Sequence, residues 1–532
     1  MRLTAFSSSG NRASAFRNVG TRHRPPRVHP THRPLTCRIL PQLIRNLPSL
    51  SATAERVEGN LVAPGNHLEQ ISTVYKFGGS SVSTPERMLE VADIICSFPD
   101  AYPCIVLSAM GKTTNLLLES GALALQCSPE EIESLEPVRW ICQHHIESVE
   151  TLGADTATRE AVHTLLAELK QLLTGISMLQ ECSARARDNL VSFGERLSTR
   201  IFAGLLRAKG VPARQYDAWE IGFVSSDEFG NADLVYEETL RKIRETLIRG
   251  QNQPHEIPIV TGFLAKGEKT GAITTLGRGG SDLSATVIGA ALGVAEAQVW
   301  KDVDGVLTCD PRIVPSAQSV PLLTFEEAAE LAHFGAQVLH PQAMKPAQLR
   351  GNMAVRVKNS YNRTAPGTLI QSERDLNESL LSSLVVKRHV TMVDIVSTKM
   401  VGQYGFLAKV FDICREYEIS VDVVATSEVS ISLTLDVDSL WTDEEVDQKL
   451  VSLRSAFKEW ADVSFRHNLA ILSLICNVGR SSEILVKVFK ALGQEGINVQ
   501  MMSQGASKTN ISLIVDEKEA LDAVKSIHDQ FF

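Results

Sequence analysis

The sequence predicts a largely parallel α/β domain followed by two smaller ferredoxin-like units. From about residue 70 to residue 375, apolar strand-like runs alternate with longer helical patterns, which is typical of a parallel sheet covered by helices. From about residue 385 the pattern changes to a weak internal repeat, in which each copy has the order βαββαβ. A chain of 532 residues is also too long for one ordinary domain.

The N-terminal segment differs in composition from the rest of the chain. Its first 54 residues contain no Asp, Glu or Lys, but they carry nine arginines among Ser, Thr and Pro. This composition is typical of an organelle transit peptide. A basic nucleic-acid-binding arm is the alternative, but the terminal position and the hydroxyl content favour transit. We therefore expect residues 1–60 to be a disordered transit peptide.

Composition excludes several function classes for the remainder. The net charge of −9 gives no support to a nucleic-acid partner, which usually requires a basic face. No apolar run approaches the roughly 20 residues that span a bilayer, so no membrane partner is expected. The nine cysteines lack C-x-x-C spacing, which argues against a disulfide framework and a zinc site.

The first predicted strand, residues 71–75, ends in a cationic glycine turn. Lys76 is followed by Gly78 and Gly79, and residues 83–86 provide a hydroxyl cap, an early proline and an acid for the next helix. Adjacent glycines let backbone N–H groups approach a ligand, and a helix N-terminus favours anions. The segment therefore predicts a phosphate-binding turn, with an ordinary βα turn and a surface lysine as the alternative.

A second loop follows the buried-strand candidate at residues 104–108. The triplet 111–113 reads Gly-Lys-Thr, but a P-loop requires glycine where the chain has Val106. The loop still lies at the C-terminal end of a strand, where α/β sheets bind ligands. Ser108 and Thr114 are candidate hydroxyl donors to a phosphate or carboxylate, or else caps of the next helix.

Glu195 lies in a Gly-Glu-Arg triplet that we assign to a helix start. The functional interpretation makes its carboxylate the partner of a substrate ammonium. The alternative is a cap with a solvated charge pair, and the residues alone favour that alternative.

A second glycine turn opens the Ala-rich helix predicted at residues 283–292. It contains Arg278 and Asp282, and it does not match the G-x-G-x-x-G pattern because Asp282 takes the third glycine position. Two helix N-termini that favour anions suit a substrate with several phosphates. Arg278 offers a planar fork for a carboxylate or phosphate.

The loop at residues 299–312 mixes acids and bases as a nucleotide site requires. It lacks the closing Glu of an EF-hand calcium loop. Further on, His340 stands beside Pro341, and a lone histidine there is expected to be structural.

The C-terminal repeat pairs residues 419–421 and 431–436 with residues 497–499 and 511–516. Each copy follows a predicted helix, at residues 406–417 and 484–494. The first strand of the second copy can come from about 383–390, so the boundary between the copies is soft.

Six strings in this order and spacing resemble the aspartate kinases of the amino-acid kinase superfamily. They are KFGGSSV at 76–82, LSAMGKTTN at 107–115, SFGERLS at 192–198, TLGRGGSD at 275–282, WKDVDGVLTCDPR at 300–312 and FGAQVLHP at 334–341. With the transit segment, the chain resembles the monofunctional plant plastid form. The resemblance implies a three-layer αβα sandwich at residues 70–375, then two ACT domains at 391–465 and 466–532.

The implied reaction converts ATP and L-aspartate into ADP and 4-phospho-L-aspartate, with Mg²⁺ carried by ATP. It is the first step of the aspartate-derived pathway to lysine, threonine, methionine and isoleucine, placed in the chloroplast stroma. A side-chain carboxylate is ionised at neutral pH, with a reference pKa of about 3.9, so it attacks phosphorus without a general base. Positioning and charge neutralisation must then supply the catalysis.

The resemblance also implies residue roles. Lys76, Arg278 and Asp282 are the implied catalytic residues. The implied ATP contacts are Lys76, Gly78, Gly79, Ser80, Ser108, Lys301, Asp302 and Arg312. The implied substrate contacts are Ser108, Thr114, Glu195, Arg278 and Asp282, with Arg278 on the α-carboxylate and Glu195 on the ammonium. Several microbial members have Lys where this chain has Gln337, so no ATP contact is assigned there.

L-Lysine is the implied allosteric inhibitor, bound in the first ACT copy. Asp422 and Glu428 would hold its ε-ammonium, and helix N-terminal amides near Gly405 its α-carboxylate. The alternative is that these are edge and turn residues of a dimer interface. A homodimer through the ACT domains is expected because exposed sheet edges commonly pair. The implied lysine contacts are Met400, Gln403, Gly405, Phe406, Leu407, Ser420, Val421, Asp422, Thr426, Ser427 and Glu428.

Two other hypotheses remain open at this point. The chain could be another amino-acid kinase, acting on glutamate or acetylglutamate, although the ACT repeat and the SFGERLS string weigh against it. It could also be a non-catalytic amino-acid sensor, although the intact Lys76, Arg278 and Asp282 argue against that.

Overall fold

The computed structural model describes residues 70–248, 255–336, 339–349, 353–375, 379–397, 404–417, 419–436 and 443–532. The predicted transit segment at residues 1–60 lies outside these ranges. Within them, no helix combines the length and the apolar character that a membrane crossing needs.

A mainly parallel sheet organises the first part of the chain. Its strands, with those of a small accessory sheet, are β1 (Thr73–Phe77), β2 (Pro103–Leu107), β3 (Ala213–Tyr216), β4 (Val224–Ser225), β5 (Ile257–Thr261), β6 (Leu264–Gly267), β7 (Ile273–Thr275), β8 (Glu296–Lys301), β9 (Leu322–Thr324), β10 (Ala354–Asn359) and β11 (Thr368–Gln371). The large sheet has the order β3-β5-β2-β1-β8-β10-β11-β9, and β4, β6 and β7 form the accessory sheet. All neighbours in the large sheet are parallel except β10 and β11. This confirms the predicted parallel α/β domain.

Helices cover the sheet. They are α1 (Pro85–Cys96), α2 (Thr113–Ala124), α3 (Glu136–Thr151), α4 (Thr156–Leu179), α5 (Ala184–Ala208), α6 (Tyr236–Leu247), α7 (Gly280–Leu292), α8 (Phe325–His333) and α9 (Pro341–Leu349). The predicted cap of α1 is confirmed, because the Thr84 side chain accepts a hydrogen bond from the Arg87 N–H and Pro85 follows at the first helical position.

The alternation of side chains along β1 shows why both faces of the sheet are covered. Tyr75 and Phe77 point to one face, where their rings contact Trp300, which in turn contacts Phe98 just beyond α1. Lys76 points to the opposite face and reaches α7. Since successive strand residues alternate between faces, helices are needed on both sides. The result is the expected three-layer sandwich.

A separate antiparallel sheet follows, which we call the C-terminal sheet. Its strands are β12 (Leu381–Val396), β13 (Ser420–Thr426), β14 (Ser430–Asp436), β15 (Asp462–Cys476), β16 (Met501–Ser503) and β17 (Asn510–Asp516), in the spatial order β13-β14-β12-β15-β17-β16. Its helices are α10 (Phe406–Glu416), α11 (Asp443–Phe457), α12 (Ser481–Gln494) and α13 (Glu517–Phe531).

The two long strands β12 and β15 serve both ferredoxin-like units. The boundary predicted at residues 465/466 therefore falls inside β15. The segment predicted to supply the first strand of the second unit pairs from Leu381 to Lys387 with the C-terminal half of β15. In the second unit, β15 is the first strand of the βαββαβ order, because it leads directly into α12 and pairs with β17. The β12 segment, which pairs with the other side of β15, therefore occupies the position of the fourth strand at the edge of that unit.

Helix α8 joins the two parts of the chain. Its buried Glu327 forms an ion pair with Arg374, with 2.6 Å between the carboxylate oxygen and the guanidinium nitrogen. Phe334, just after the helix, packs with Met392, Val423 and Ile514 of the C-terminal sheet. Helix α8 and the residue that follows it therefore contact both the rest of the α/β domain and the C-terminal sheet.

Candidate active site

Lys76 lies at the C-terminal end of β1 and forms a buried ion pair with Asp282. Its Nζ is 2.6 Å from Asp282 Oδ1, and both side chains are about nine-tenths buried. Burial alone would raise the pKa of Asp282, but the Lys76 and Lys301 ammonium groups hold it below its usual range. Burial lowers the pKa of Lys301 despite the nearby Asp282. Asp282 therefore stays ionised and fixes the Lys76 ammonium in place.

The glycine turn after β1 is pressed against the second loop. A Cβ on Gly79 would lie 2.8 Å from the Ala109 carbonyl oxygen, so only glycine fits there. The Gly79 carbonyl oxygen accepts a hydrogen bond from the Gly111 N–H at 3.0 Å. Ser80 continues the turn as a 3₁₀ segment and is exposed. The two predicted loops therefore form one joined surface.

The second loop carries Ser108 and the Ala109 N–H into the same region. The Ser108 hydroxyl donates to Ser281 Oγ at 3.0 Å, which links this loop to the start of α7. The Ala109 N–H donates to Glu195 Oε1 at 3.1 Å. Three chain segments are thereby tied together by polar contacts.

Glu195 lies in the middle of α5, so the prediction that it starts a helix is wrong. The preceding Gly194 serves close packing instead, because a Cβ there would lie 2.6 Å from Ala109 Cβ. Burial raises the pKa of Glu195 to about 8. Its Oε2 has no hydrogen-bond partner among the described residues. Once ionised, this buried carboxylate is suited to accept a hydrogen bond from a cationic group of a ligand.

The loop before α7 presents Arg278 between two glycines with left-handed backbone. Gly277 and Gly279 have φ of +70° and +71°. Gly279 also packs under His340, since a Cβ would lie 2.2 Å from His340 Cβ. The Thr275 N–H and hydroxyl both donate to the Asp188 carboxylate, which fixes the start of the loop.

These segments enclose a cavity of about 350 Å³, which we call the cleft. Seven of the predicted site residues line it, namely Lys76, Gly79, Ser108, Thr114, Glu195, Arg278 and Asp282. The parallel neighbours β5, β2, β1 and β8 all end at this edge of the sheet. Two glycine turns predicted from separate parts of the sequence therefore meet in one place.

Sequence reasoning missed other lining residues. Phe263 follows β5 with φ of +69°, and Ser281 opens α7. Ser281 was visible inside the TLGRGGSD string, and Phe263 follows a strand that ends at the ligand-binding edge. His340, expected to be structural, packs against the Arg278 loop, and burial lowers its pKa while the Asp282 charge acts in the opposite direction.

Some predicted nucleotide contacts lie beside the cleft rather than in its lining. Lys301 ends β8 next to β1 and is close enough to act electrostatically on Asp282. Asp302 follows it and is exposed. Arg312 lies farther along, with its side chain 89% exposed and its guanidinium 2.6 Å from Asp310. Ser80 and Gly78 belong to the first turn without lining the cleft.

The predicted effector residues are spread over the C-terminal sheet. Gly405 has φ of +83° and caps α10, Phe406 is buried, and Leu407 is exposed. Ser427 and Glu428 lie in the exposed turn after β13, and Thr426 is the exposed last residue of that strand. Ser420 is also exposed and Val421 is half-buried. Met400 and Gln403 lie outside the described residues.

Asp422 does not share the environment of Glu428. Its carboxylate is almost fully buried, 2.7 Å from Lys387 Nζ and 3.6 Å from His333 Nε2 of α8. The structure therefore directs Asp422 toward the α/β domain, whereas Glu428 faces solvent.

Comparisons with known proteins agree with this architecture. The model of the Amino acid kinase family matches residues 72–359, and an ACT domain model matches residues 476–531. Aspartokinase 2, chloroplastic, of Arabidopsis thaliana is 55% identical over 87% of this chain and 85% of that protein. Lysine-sensitive aspartokinase 3 of Escherichia coli is 35% identical over 86% of this chain and 99% of that protein.

Solved structures of E. coli aspartokinase III are similar as well. The complex with lysine and aspartate, described as a T-state, has a TM-score of 0.71 at 34% identity and covers 86% of this chain and 99% of that chain. The complex with aspartate and ADP, described as an R-state, has a TM-score of 0.71 at 33% identity, over 87% and 99%.

Proposed function

The chain belongs to the aspartokinases of the amino acid kinase family, and we propose that its cleft transfers the γ-phosphoryl group of ATP to the side-chain carboxylate of L-aspartate. The product is 4-phospho-L-aspartate. The observation that carries this proposal is the convergence of the Lys76–Asp282 ion pair, Arg278 and the unpaired carboxylate oxygen of Glu195 on one cavity. Relatives that are 54–57% identical are named chloroplastic, and this chain acts in the chloroplast.

The substrate is oriented by its two charged main-chain groups. Arg278 holds the α-carboxylate through its planar fork, and Glu195 accepts the ammonium. With both ends fixed, the side-chain carboxylate points to the glycine turn after β1. Because that carboxylate is already ionised at neutral pH, no general base has to act on it.

Catalysis rests on position and charge. The transferring phosphoryl group carries negative charge over its three outer oxygens, and a fixed ammonium lowers the energy of that state. Lys76 supplies this charge, and Asp282 holds the lysine through a direct contact of 2.6 Å. Backbone N–H groups of Gly78 and Gly79 add donors at the turn.

Magnesium is proposed to arrive with ATP. No group of three or more His, Cys, Asp or Glu side chains converges on one point within the part of the chain that the structure describes. Asp282 contacts Lys76 directly, and Asp302 follows Lys301 in the chain. When bound, the ion neutralises phosphate charge and orients the β- and γ-phosphates.

Lysine is proposed as the inhibitor, acting through the C-terminal sheet. The E. coli relative is named lysine-sensitive, and its lysine complex is described as a T-state. For this chain we place lysine near the start of α10 and the turn at Glu428. Inhibition then shifts the population between two arrangements of a homodimer, paired through the C-terminal sheets, that differ in substrate affinity.

A coupled ADP-release assay with Mg²⁺-ATP and L-aspartate, L-glutamate or N-acetylglutamate tests the function. We expect turnover with L-aspartate and a kcat/KM at least roughly tenfold lower with L-glutamate and N-acetylglutamate. A preference for glutamate or acetylglutamate would assign another amino-acid kinase. Lysine binding without turnover on any of the three would make the chain a sensor.

A further inference from the structure

A second cavity lies where three parts of the fold meet, and we call it the joint cavity. It encloses about 390 Å³ between α8 of the α/β domain, β13 at one edge of the C-terminal sheet, and β16 and β17 at the other edge. Glu330 and His333 line it from α8, Asp422 from β13 and Asn510 from β17. Its size is in the range of small-molecule sites. It is separate from the cleft.

A β-bulge directs Asp422 into this cavity. Val421 pairs with Leu435 and Val424 with Leu433, so two residues of β13 oppose one residue of β14. An extra residue shifts the alternation of side chains along the strand. The Asp422 carboxylate is consequently almost fully buried beside Lys387 and His333.

Asn510 supplies an acceptor that the protein leaves unpaired. The residue is 6% exposed, and its Nδ2 donates to Glu330 Oε2 at 3.1 Å and to Ser512 Oγ at 3.2 Å. A carboxylate only accepts, so the amide nitrogen must face Glu330. The amide Oδ1 is buried and has no hydrogen-bond partner among the described residues. A buried acceptor of this kind is costly unless a ligand donates to it.

The charge of the cavity lining determines which ligands could donate a hydrogen bond to Asn510 Oδ1. Glu330 and Asp422 contribute two carboxylates, and Lys387 places one ammonium at Asp422. Glu330 forms no ion pair within the part of the chain that the structure describes, so its side of the cavity keeps a negative charge beside the Asn510 amide. Ser503 and Ser507 add hydroxyl groups to the lining of the cavity. This combination suits a small cation with N–H donors and disfavours an anion.

We propose that the joint cavity is a binding site for a small primary ammonium compound. The ammonium donates to Asn510 Oδ1 and to the Glu330 carboxylate, and the remaining polar groups of the ligand contact the serine hydroxyls. Such a ligand bridges α8 of the α/β domain and the β17–β16 side of the C-terminal sheet, with Asp422 of β13 on the opposite lining of the cavity. The site does not depend on the proposed function, because occupancy is a binding property that can be measured without turnover.

The test is isothermal titration calorimetry of the full chain with 2-aminoethanol at pH 7 and constant ionic strength. This probe carries an ammonium and one hydroxyl. We expect saturable binding in the millimolar range or tighter. Tetramethylammonium, which keeps the charge but has no N–H donor, should bind at least tenfold more weakly.

Variants locate the binding. Glu330→Gln and Asn510→Ala should each weaken 2-aminoethanol binding at least fivefold. Glu326→Gln makes the same charge change on an exposed position of α8 and should leave binding unchanged. Glu330→Gln is conservative and half-buried, so it remains informative if Asn510→Ala does not fold. No saturable binding, or equal binding by Glu330→Gln and Glu326→Gln, overturns the proposal, whatever the kinase assay gives.

Discussion

In the cleft, seven predicted residues line one cavity, whereas in the C-terminal sheet Asp422 is buried toward α8 and Glu428 lies in an exposed turn. Both regions were predicted from motifs in the same sequence. The two regions differ in how the strand arrangement positions the side chains. Parallel strands bring all their C-terminal ends to one edge, so residues that follow different strands meet there. An antiparallel edge strand offers no such convergence.

The regions also differ in what their buried charges do. Lys76 and Asp282 are paired at 2.6 Å, while Glu195 keeps one carboxylate oxygen without a partner among the described residues. In the C-terminal sheet, Asp422 is already engaged by Lys387 at 2.7 Å. An unpaired buried group indicates a ligand more strongly than a satisfied ion pair does. On this ground the cleft is more sharply defined than the proposed lysine site.

Loss of the Lys76 ammonium should have the largest effect. We expect Lys76→Ala to lower kcat by at least roughly 100-fold, because the charge that stabilises the transferring phosphoryl group is removed. Steady-state kinetics with aspartate and ATP measure this. The variant should keep its fold, although the unpaired Asp282 takes up a proton more readily.

The matched control is Lys269→Ala, in the exposed turn between β6 and β7. It removes the same charge from the same domain and should leave kcat within twofold. Near-normal turnover in Lys76→Ala, with circular dichroism unchanged, would remove Lys76 from the catalytic role.

Glu195 should set the pH dependence of substrate capture. Burial raises its pKa to about 8, so the free enzyme holds it protonated below that pH and ionised above. Only the ionised carboxylate attracts the substrate ammonium, so kcat/KM for aspartate should rise with pH through about 8. Glu195→Gln should abolish this limb and raise the KM for aspartate roughly 10- to 100-fold.

Exposed Glu160 on α4 provides the control, since Glu160→Gln should retain both the pH limb and the KM. The unfolding midpoint of Glu195→Gln at pH 7 should stay the same or rise, because the raised pKa of the buried acid lowers stability above about pH 4.5 and the amide removes this cost. A pH limb that persists in Glu195→Gln would assign it to another group.

The glycine turns could be predicted from the sequence because strand, glycines and helix cap follow one another directly. The place of Glu195 could not. Gly194 suggested a helix boundary, but the glycine lets α5 approach Ala109, a contact between residues 85 positions apart. The direction of Asp422 was equally hidden, because one extra residue in β13 decides it and the register depends on β14. The residues of each turn could therefore be predicted from the local sequence. The close packing at Gly194 and the bulge in β13 depend on residues that are distant in the sequence.

The smallest expected effects distinguish the exposed Glu428 from the buried Asp422 in the C-terminal sheet. Glu428→Ala should raise the inhibition constant for lysine at least tenfold without changing kcat, since an exposed carboxylate proposed to hold the ε-ammonium is lost. It should leave the free energy of unfolding within about 0.5 kcal/mol. Asp422→Asn should instead lower that free energy by roughly 1–3 kcal/mol, because it removes the buried charge that pairs with the Lys387 ammonium. Lysine titrations and urea unfolding of both variants measure the two effects.

An unchanged lysine response in Glu428→Ala would remove that residue from the proposed effector site. Equal stability of the two variants would show that the burial of Asp422 does not distinguish them.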